Sequence, residues 1–84
     1  MDKTMREKKK VAVNLDATIR MGKSGVTQSL IDEIKDQIKR REAVKIKLLG
    51  TRKEETKTIA SELAERCDAE LIDVRGNTVV LWKK

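Results

Sequence analysis

Apolar and polar residues alternate with a period of two in four stretches of the chain, and this pattern predicts four strands. The predicted strands cover residues 17–21, 44–48, 71–75 and 78–82. Between the first three of them, apolar residues recur at helical spacing, which predicts two helices. The order is therefore β-α-β-α-β-β, an α/β chain of the two-layer α+β type. We expect a four-stranded mixed sheet with the two helices on one face.

Helix-start signals precede both apolar stripes. Thr27 is a favourable N-cap, and Val26 before it and Ile31 after it have the spacing of a hydrophobic staple. The tetrapeptide Thr51-Arg52-Lys53-Glu54 matches a capping box, which predicts that the second helix begins there. The stripes of the two helices contain Leu30, Ile31, Ile34 and Ile38, then Ile59, Ala60, Leu63, Ala64 and Cys67.

The last two strands predict a hairpin, because Gly76-Asn77 between them has the composition of a two-residue turn. The register counted from that turn pairs Arg75 with Thr78, Val74 with Val79, Asp73 with Val80, Ile72 with Leu81 and Leu71 with Trp82. In this register Ile72 lies on an apolar face and Trp82 on a mixed one. We expect helices to cover the apolar face and the mixed face to stay wholly or partly open.

Residues 1–16 differ in composition from the rest of the chain. The first ten carry five Lys and Arg against two acids, so they supply +3 of the net charge of +6. We expect a basic N-terminal arm, a frayed helix or a short extended segment here, with the folded domain at 17–84. The arm either helps to bind phosphate or is a solvated terminus.

Length and charge narrow the class of protein. A chain of 84 residues makes one domain with a thin core. The charge of +6 favours a polyanionic partner such as RNA, DNA or an acidic membrane surface, although it also serves solubility. No stretch has the length of a membrane span and no signal peptide is visible, so we expect a cytoplasmic location and no membrane partner.

Catalytic chemistry finds little support in the composition. The chain has no His and one Cys, which excludes a Cys–His nucleophile, a Cys/His zinc site and an internal disulfide. We expect Cys67 to be a small buried apolar residue in a reducing setting. No carboxylate pair has a catalytic spacing. We therefore expect no enzymatic activity, no metal, no cofactor and no small-molecule substrate.

The most informative motif is Gly22-Lys23-Ser24-Gly25, which joins the first strand to the first helix. Two glycines let a backbone approach a phosphate closely, and the helix that follows directs free N–H groups to the same place. Lys23 adds a charge and Ser24 a hydroxyl, as suits a G-x-x-G loop that clamps a nucleic-acid backbone. The alternative is an ordinary strand-to-helix turn. A P-loop is rejected, because residues 18–21 alternate as a strand where that motif needs a loop.

Other basic residues extend this candidate site only if the fold gathers them. They are Arg20, Lys45, Lys47 and Arg75, with Arg52 and Lys53 at the start of the second helix and the terminal Lys83 and Lys84. Trp82 is the only aromatic residue, so stacking of several bases on a sheet is not expected. Trp82 packs in the core, stacks a single base or serves a protein contact.

Three stretches together resemble the CRM domain, named for chloroplast RNA splicing and ribosome maturation, in its short YhbY-like form. They are residues 19–27, 42–47 and 74–82, and the resemblance covers residues 17 to 82. It implies a fold similar to the C-terminal domain of translation initiation factor three, and RNA binding through Gly22, Lys23, Ser24 and Gly25. It also implies association with precursors of the large ribosomal subunit, as in bacterial relatives, or with intron splicing, as in plant organelles. The family's N-terminal helix is expected to be absent or replaced by an extended segment here.

These observations favour a sequence-tolerant binder of structured RNA, such as ribosomal RNA or its precursors. Two other functions stay open. An Alba-like DNA-binding chromatin protein shares the element order and the charge, although its long hairpin arm contrasts with the short turn predicted here. A protein-interaction module would use the open sheet face that carries Leu71, Val80 and Trp82.

Overall fold

The computed structural model describes residues 3–84, apart from the side chain of Lys53. Its helices are α1 (Met5–Asn14), α2 (Gln28–Arg41) and α3 (Lys53–Arg66), and its strands are β1 (Ile19–Met21), β2 (Ala43–Leu48), β3 (Ala69–Arg75) and β4 (Thr78–Lys83). The predicted β-α-β-α-β-β order is confirmed, with one helix added before it. No helix in residues 3–84 is long and apolar enough to cross a membrane.

The four strands form one mixed sheet in the order β1-β2-β4-β3. β1 is parallel to β2, while β4 is antiparallel to both β2 and β3. The parallel pair needs a crossover connection, and α2 provides it. The two edges of the sheet are therefore β1, only three residues long, and β3, which closes the hairpin.

Helices α2 and α3 cover one face of the sheet, here called the inner face, as predicted. α2 begins after Thr27, whose Oγ1 accepts a hydrogen bond from the N–H of Leu30 at 3.1 Å. Eight of the nine predicted stripe positions are buried, and Ile59 is half-buried against the same core. Every second residue of β2 enters that core, namely Val44, Ile46 and Leu48. The predicted core face is thus confirmed.

Of the forms expected for the N-terminus, the arm and the extended segment are wrong for residues 5–14, which form a helix, α1, with a capped rather than a frayed start. Thr4 and Glu7 make a capping box, a signal that the composition-based interpretation overlooked. One side of α1 then packs on the second face of the sheet, the outer face. That packing forms a small apolar cluster of Ala12, Ala43, Ile72, Val80 and Trp82, joined at its edge by Val11 and Leu15. Residues 1 and 2 of the predicted arm lie outside the described residues.

The hairpin turn is confirmed, but part of its predicted register is wrong. Three pairs next to the turn are as predicted, down to Asp73 with Val80. Beyond them a β-bulge leaves Ile72 unpaired, so that Leu71 pairs with Leu81. One extra residue exchanges the two faces of a strand. Ile72 therefore turns to the outer face, where α1 covers it, and Leu71 to the inner one.

The predicted start of α3 is one residue early, and its capping box is absent. The N-cap is Arg52, which makes no side-chain cap hydrogen bond. The buried hydroxyl of Thr56 instead donates to the carbonyl oxygen of Arg52 at 3.1 Å. This bond ties the first turn of α3 to its own N-terminus without a capping side chain.

Candidate nucleic-acid interface

The G-x-x-G motif forms a tight turn between β1 and α2. The N–H of Gly25 donates to the carbonyl oxygen of Gly22 at 3.1 Å, which places Lys23 and Ser24 at the exposed tip. Gly25 has a φ of 72°, in the left-handed region that favours glycine. The N–H of Gly25 is therefore used within the turn, and the groups offered to a ligand are those of the tip and of the start of α2.

A shallow cleft lies between this turn and the first turn of α2. Its walls include Arg20, Gly22, Ser24, Gly25, Thr27 and Ser29. A Cβ atom added to either glycine would meet nothing within 4 Å, so the backbone is open to an approaching group. The first N–H groups of a helix lack partners within the helix and attract anions. In α2, the N–H of Leu30 already donates to Thr27 Oγ1.

Three turns meet at the same end of the sheet as this cleft. The N–H of Leu49, just after β2, donates to the carbonyl oxygen of Met21 at 3.0 Å. The hairpin turn lies beside the end of β2, because the N–H of Leu48 donates to the carbonyl oxygen of Asn77 at 2.7 Å. Asn77 Nδ2 returns a hydrogen bond to the carbonyl oxygen of Leu48 at 3.0 Å. These bonds fix the hairpin beside the ends of β1 and β2.

At that end, three of the predicted basic residues line up across the outer face. The register places Arg20 beside Lys47, Lys47 beside Thr78, and Thr78 beside Arg75. These four residues, one from each strand, form what we call the basic row. Arg20, Lys47 and Arg75 are exposed. With neighbouring strands about 4.8 Å apart, the row spans about 14 Å.

The members of the basic row differ in how their charge is balanced. Arg75 Nε lies 2.9 Å from Asp73 Oδ2. No carboxylate oxygen in residues 3–84 lies within 4.0 Å of a charged nitrogen of Arg20, Lys23 or Lys47. Exposed cations without an acidic partner keep their full charge for a polyanionic ligand.

Lys45 shares the outer face with the basic row but does not join it. It is half-buried, and its Nζ donates to the carbonyl oxygen of Ala12 at 3.4 Å. That carbonyl belongs to the last turn of α1, where a helix carries partial negative charge and where α1 has no basic residue of its own. Lys45 therefore contacts α1, although it lines the same cleft as Arg75 and Thr78 of the basic row.

The sequence matches the CRS1/YhbY (CRM) domain over residues 1–83. The chain belongs to the CRM domain family. The resemblance inferred from the G-x-x-G motif and the closing hairpin is confirmed, and the match includes the N-terminal residues that form α1.

Relatives of this CRM domain occur in bacteria, archaea and plants. It is 30% identical over 73 residues to "Probable RNA-binding protein YqeI" of Bacillus subtilis, covering 87% of this chain and 76% of that protein. It is 33% identical over 81 residues to "Probable RNA-binding protein MJ0652" of Methanocaldococcus jannaschii, covering 87% of this chain and 60% of that one. It is 35% identical over 65 residues to "CRS2-associated factor 2, mitochondrial" of Arabidopsis thaliana, covering 77% of this chain and 18% of that factor.

A solved structure shares the fold of this CRM domain. The solution structure of the protein SAV1595 from Staphylococcus aureus superimposes with a TM-score of 0.85 at 29% sequence identity. The match covers 95% of this chain and 83% of that one. A match of this extent includes the mixed sheet and the helices on both of its faces.

Trp82 of this CRM domain is part of the packed core and is only 4% exposed. α1 covers it, and the Nζ atoms of Lys3 and Lys8 lie 5.3 and 5.7 Å from the centre of its ring. Val80 is buried in the same cluster, and Leu71 faces the opposite helices. The open, partly apolar sheet face expected for a protein-interaction module is therefore wrong.

Cys67 lies at the other end of the CRM domain, in a cleft with Lys83 and Lys84, so the two terminal lysines lie away from the basic row. It is buried, as predicted. Burial raises the pKa of its thiol, and the nearby charges of Lys35 and Arg66 oppose that effect. The thiol is therefore protonated at neutral pH and is a poor nucleophile. Within residues 3–84, His, Cys, Asp and Glu form no cluster that could hold a metal ion.

Proposed function

We propose that this CRM domain binds RNA through the G-x-x-G turn and the basic row. One observation carries the proposal: the open glycine turn, the exposed Lys23 and three aligned cations lie at a single end of the sheet. Two relatives that this chain resembles carry the name "Probable RNA-binding protein". The proposal assigns a binding role without a catalytic step.

The residues of the proposed site divide into those at the turn and those of the basic row, and each group would contact phosphates. Lys23, the Ser24 hydroxyl and the first N–H groups of α2 would hold one phosphate at the turn, where Gly22 and Gly25 leave room for it. Arg20, Lys47 and Arg75 would hold phosphates further across the sheet. Lys45 would act indirectly, because it offsets the negative end of α1 beside the basic row.

The buried tryptophan supports structured RNA over single strands. Readers of single-stranded RNA stack unpaired bases on aromatic side chains. The chain has no Phe, no Tyr and one Trp, and that Trp82 is covered by α1. A surface made of Lys, Arg and Ser instead suits the phosphate backbone of a folded RNA. We propose structured ribosomal RNA, or precursors of the large ribosomal subunit, as the target.

Binding by wild type and by Lys23→Glu tests the site, across a salt series and with ribosomal RNA fragments. We expect the substitution to weaken binding by tenfold or more, about 1.4 kcal/mol. We also expect log affinity of the wild type to fall steeply with log salt, as for about 4–6 phosphate contacts. Lys39→Glu is the matched control, because Lys39 is an exposed lysine at the far end of α2.

Three results would contradict the proposal. Unchanged affinity of Lys23→Glu would remove the turn from the site, and a flat salt response would remove phosphates from the mechanism. Equal affinity for duplex DNA and structured RNA would favour the Alba-like DNA-binding function. Retained circular dichroism of both variants shows that the losses do not come from unfolding.

A further inference from the structure

α1 is held on the sheet in one fixed rotation. Ala12 is buried in the outer-face cluster, and Lys8 Nζ lies 2.5 Å from Glu70 Oε1 of β3. Near its C-terminus, Lys45 donates to the carbonyl oxygen of Ala12. Three contacts along one side of a ten-residue helix determine which residues occupy its opposite side.

The opposite side of α1 is basic. Arg6, Lys9 and Lys10 lie there and are exposed, together with Val13, which is 56% exposed. No carboxylate oxygen of the described residues lies within 4.0 Å of a charged nitrogen of these three cations. The one acid of the helix, Glu7, is occupied in the capping box, where it accepts the N–H of Thr4 at 3.3 Å. The exposed charged residues of α1 are therefore three cations and one acid, Glu7, and the acid is engaged at the N-terminus of the helix.

The C-terminal end of this basic side adjoins the proposed RNA site. Val13 lines a cleft together with Lys45, Asp73, Arg75 and Thr78, and Lys10 lies one helical turn before Val13. Thr78 and Arg75 are two of the four residues of the basic row. A ten-residue helix is about 15 Å long, so the cations of α1 continue the basic row toward the other end of the domain.

We propose that Arg6, Lys9 and Lys10 form a second phosphate-contacting surface, which engages the same structured RNA beyond its contact with the turn and the basic row. This inference rests on the proposed function and lengthens its footprint. The partner is a polyanion, because three exposed cations of the helix outnumber its one acid, Glu7, and it is extended, because the cations follow the helix. RNA fits better than a lipid surface, since this side of α1 has one exposed large apolar residue, Val13, among three cations, whereas a helix that lies on a membrane inserts a broad apolar face.

The test compares two triple variants that remove the same charge. Arg6, Lys9 and Lys10 are changed to Gln in one, and Lys35, Lys39 and Lys57, all exposed on α2 and α3, in the other. Each is titrated with an RNA stem of about 16 base pairs and with one of about half that length. A fluorescence anisotropy titration over a salt series gives affinity and salt dependence together.

We expect the α1 variant to bind the long stem about tenfold more weakly, equivalent to about 1.4 kcal/mol. The slope of log affinity against log salt should fall by about 2–3, as for three lost phosphate contacts. Its affinity for the short stem should change much less, because a short RNA on the turn does not reach α1. The control variant should lose less than about twofold on either stem, since its lysines lie outside the proposed surface.

Several outcomes would overturn the inference. Equal losses in the two variants would show an effect of net charge alone, and an unchanged α1 variant would exclude the helix from the site. Loss of binding to vesicles of acidic phospholipid, with RNA binding intact, would assign the surface to a membrane. Lys23→Glu separates this inference from the proposed function: a strong effect of Lys23→Glu with no effect of the α1 variant contradicts only the second surface.

Discussion

The two faces of the sheet use the same strands for different purposes. On β2, Val44, Ile46 and Leu48 enter the core under α2 and α3, while Lys45 and Lys47 between them point to the outer face. Because side chains alternate, one side of β2 contributes to the core and the other side carries positive charge. Among the described residues, all four strands contribute apolar residues to the inner face, whereas the apolar cluster of the outer face is confined to the part that α1 covers.

The two halves of the outer face differ because α1 covers one of them and not the other, and alternation along the strands does not show this. Where α1 lies, Trp82, Val80 and Ile72 are buried and contribute to the core. Beyond the end of α1, the basic row stays exposed beside the G-x-x-G turn. A surface that binds a polyanion needs cations that are not neutralised, and a small domain also needs every apolar residue it can bury. Because α1 covers the apolar residues and ends before the basic row, its length determines where the buried part of the outer face stops and the exposed part begins.

The largest expected effect tests whether the covered half is core. Trp82→Ala should lower the free energy of unfolding by about 3–5 kcal/mol, because it empties a buried aromatic site under α1. Urea unfolding followed by circular dichroism measures it. A variant of unchanged stability that had lost RNA binding would instead make Trp82 an exposed base-stacking residue.

A pair of neighbours on β2 tests the division between the two faces. Ile46 is 0% exposed, so Ile46→Ala should cost about 2–5 kcal/mol of unfolding free energy. Lys47→Gln should leave stability within about 0.5 kcal/mol but lower the slope of log RNA affinity against log salt by about 1. Ile46→Ala, measured where it is still folded, should bind RNA as wild type does. Loss of stability in Lys47→Gln would refute this division of roles.

The two glycines of the turn should respond differently to the same substitution. Gly25→Ala places a Cβ on a backbone with a φ of 72° and should cost about 1–2 kcal/mol of stability. Gly22→Ala has no such strain and open space for the methyl group, so it should fold normally. If a phosphate approaches Gly22, the methyl group should still weaken RNA binding. Equal stability of the two variants in thermal unfolding would contradict the conformation of the turn.

The smallest expected effect concerns pH and the core beside Cys67. Burial raises the pKa of this thiol, so the folded protein keeps a proton that the unfolded chain releases near pH 8.5. The stabilisation is present below that pH and is lost as pH rises through the pKa of the folded state. Urea unfolding at pH 7 and above pH 9 should therefore show a steeper decline for wild type than for Cys67→Ala. The same decline in both would assign it to other groups, such as the lysines.

The sequence predicted most of the fold but only part of the site. The strands, the hairpin turn and helices α2 and α3 follow from alternation, helical spacing and local start signals. α1 is predicted only as one of three alternatives, because its apolar stripe is thin and its composition is dominated by charge, although Thr4 and Glu7 carry a usable capping signal. The bulge at Ile72 was missed because an unpaired residue leaves no mark on local alternation.

By itself, the sequence determined the order of the elements, the residues of the inner core and the glycine turn before α2. These are local properties, since the period of side-chain burial and the conformational freedom of glycine act over a few residues. The tertiary structure alone decided that Arg20, Lys47 and Arg75 form one row, that Lys45 contacts α1 beside that row, and that Trp82 is covered. Those outcomes depend on which strands pair, in what register and under which helix, and residues far apart in the chain settle them together.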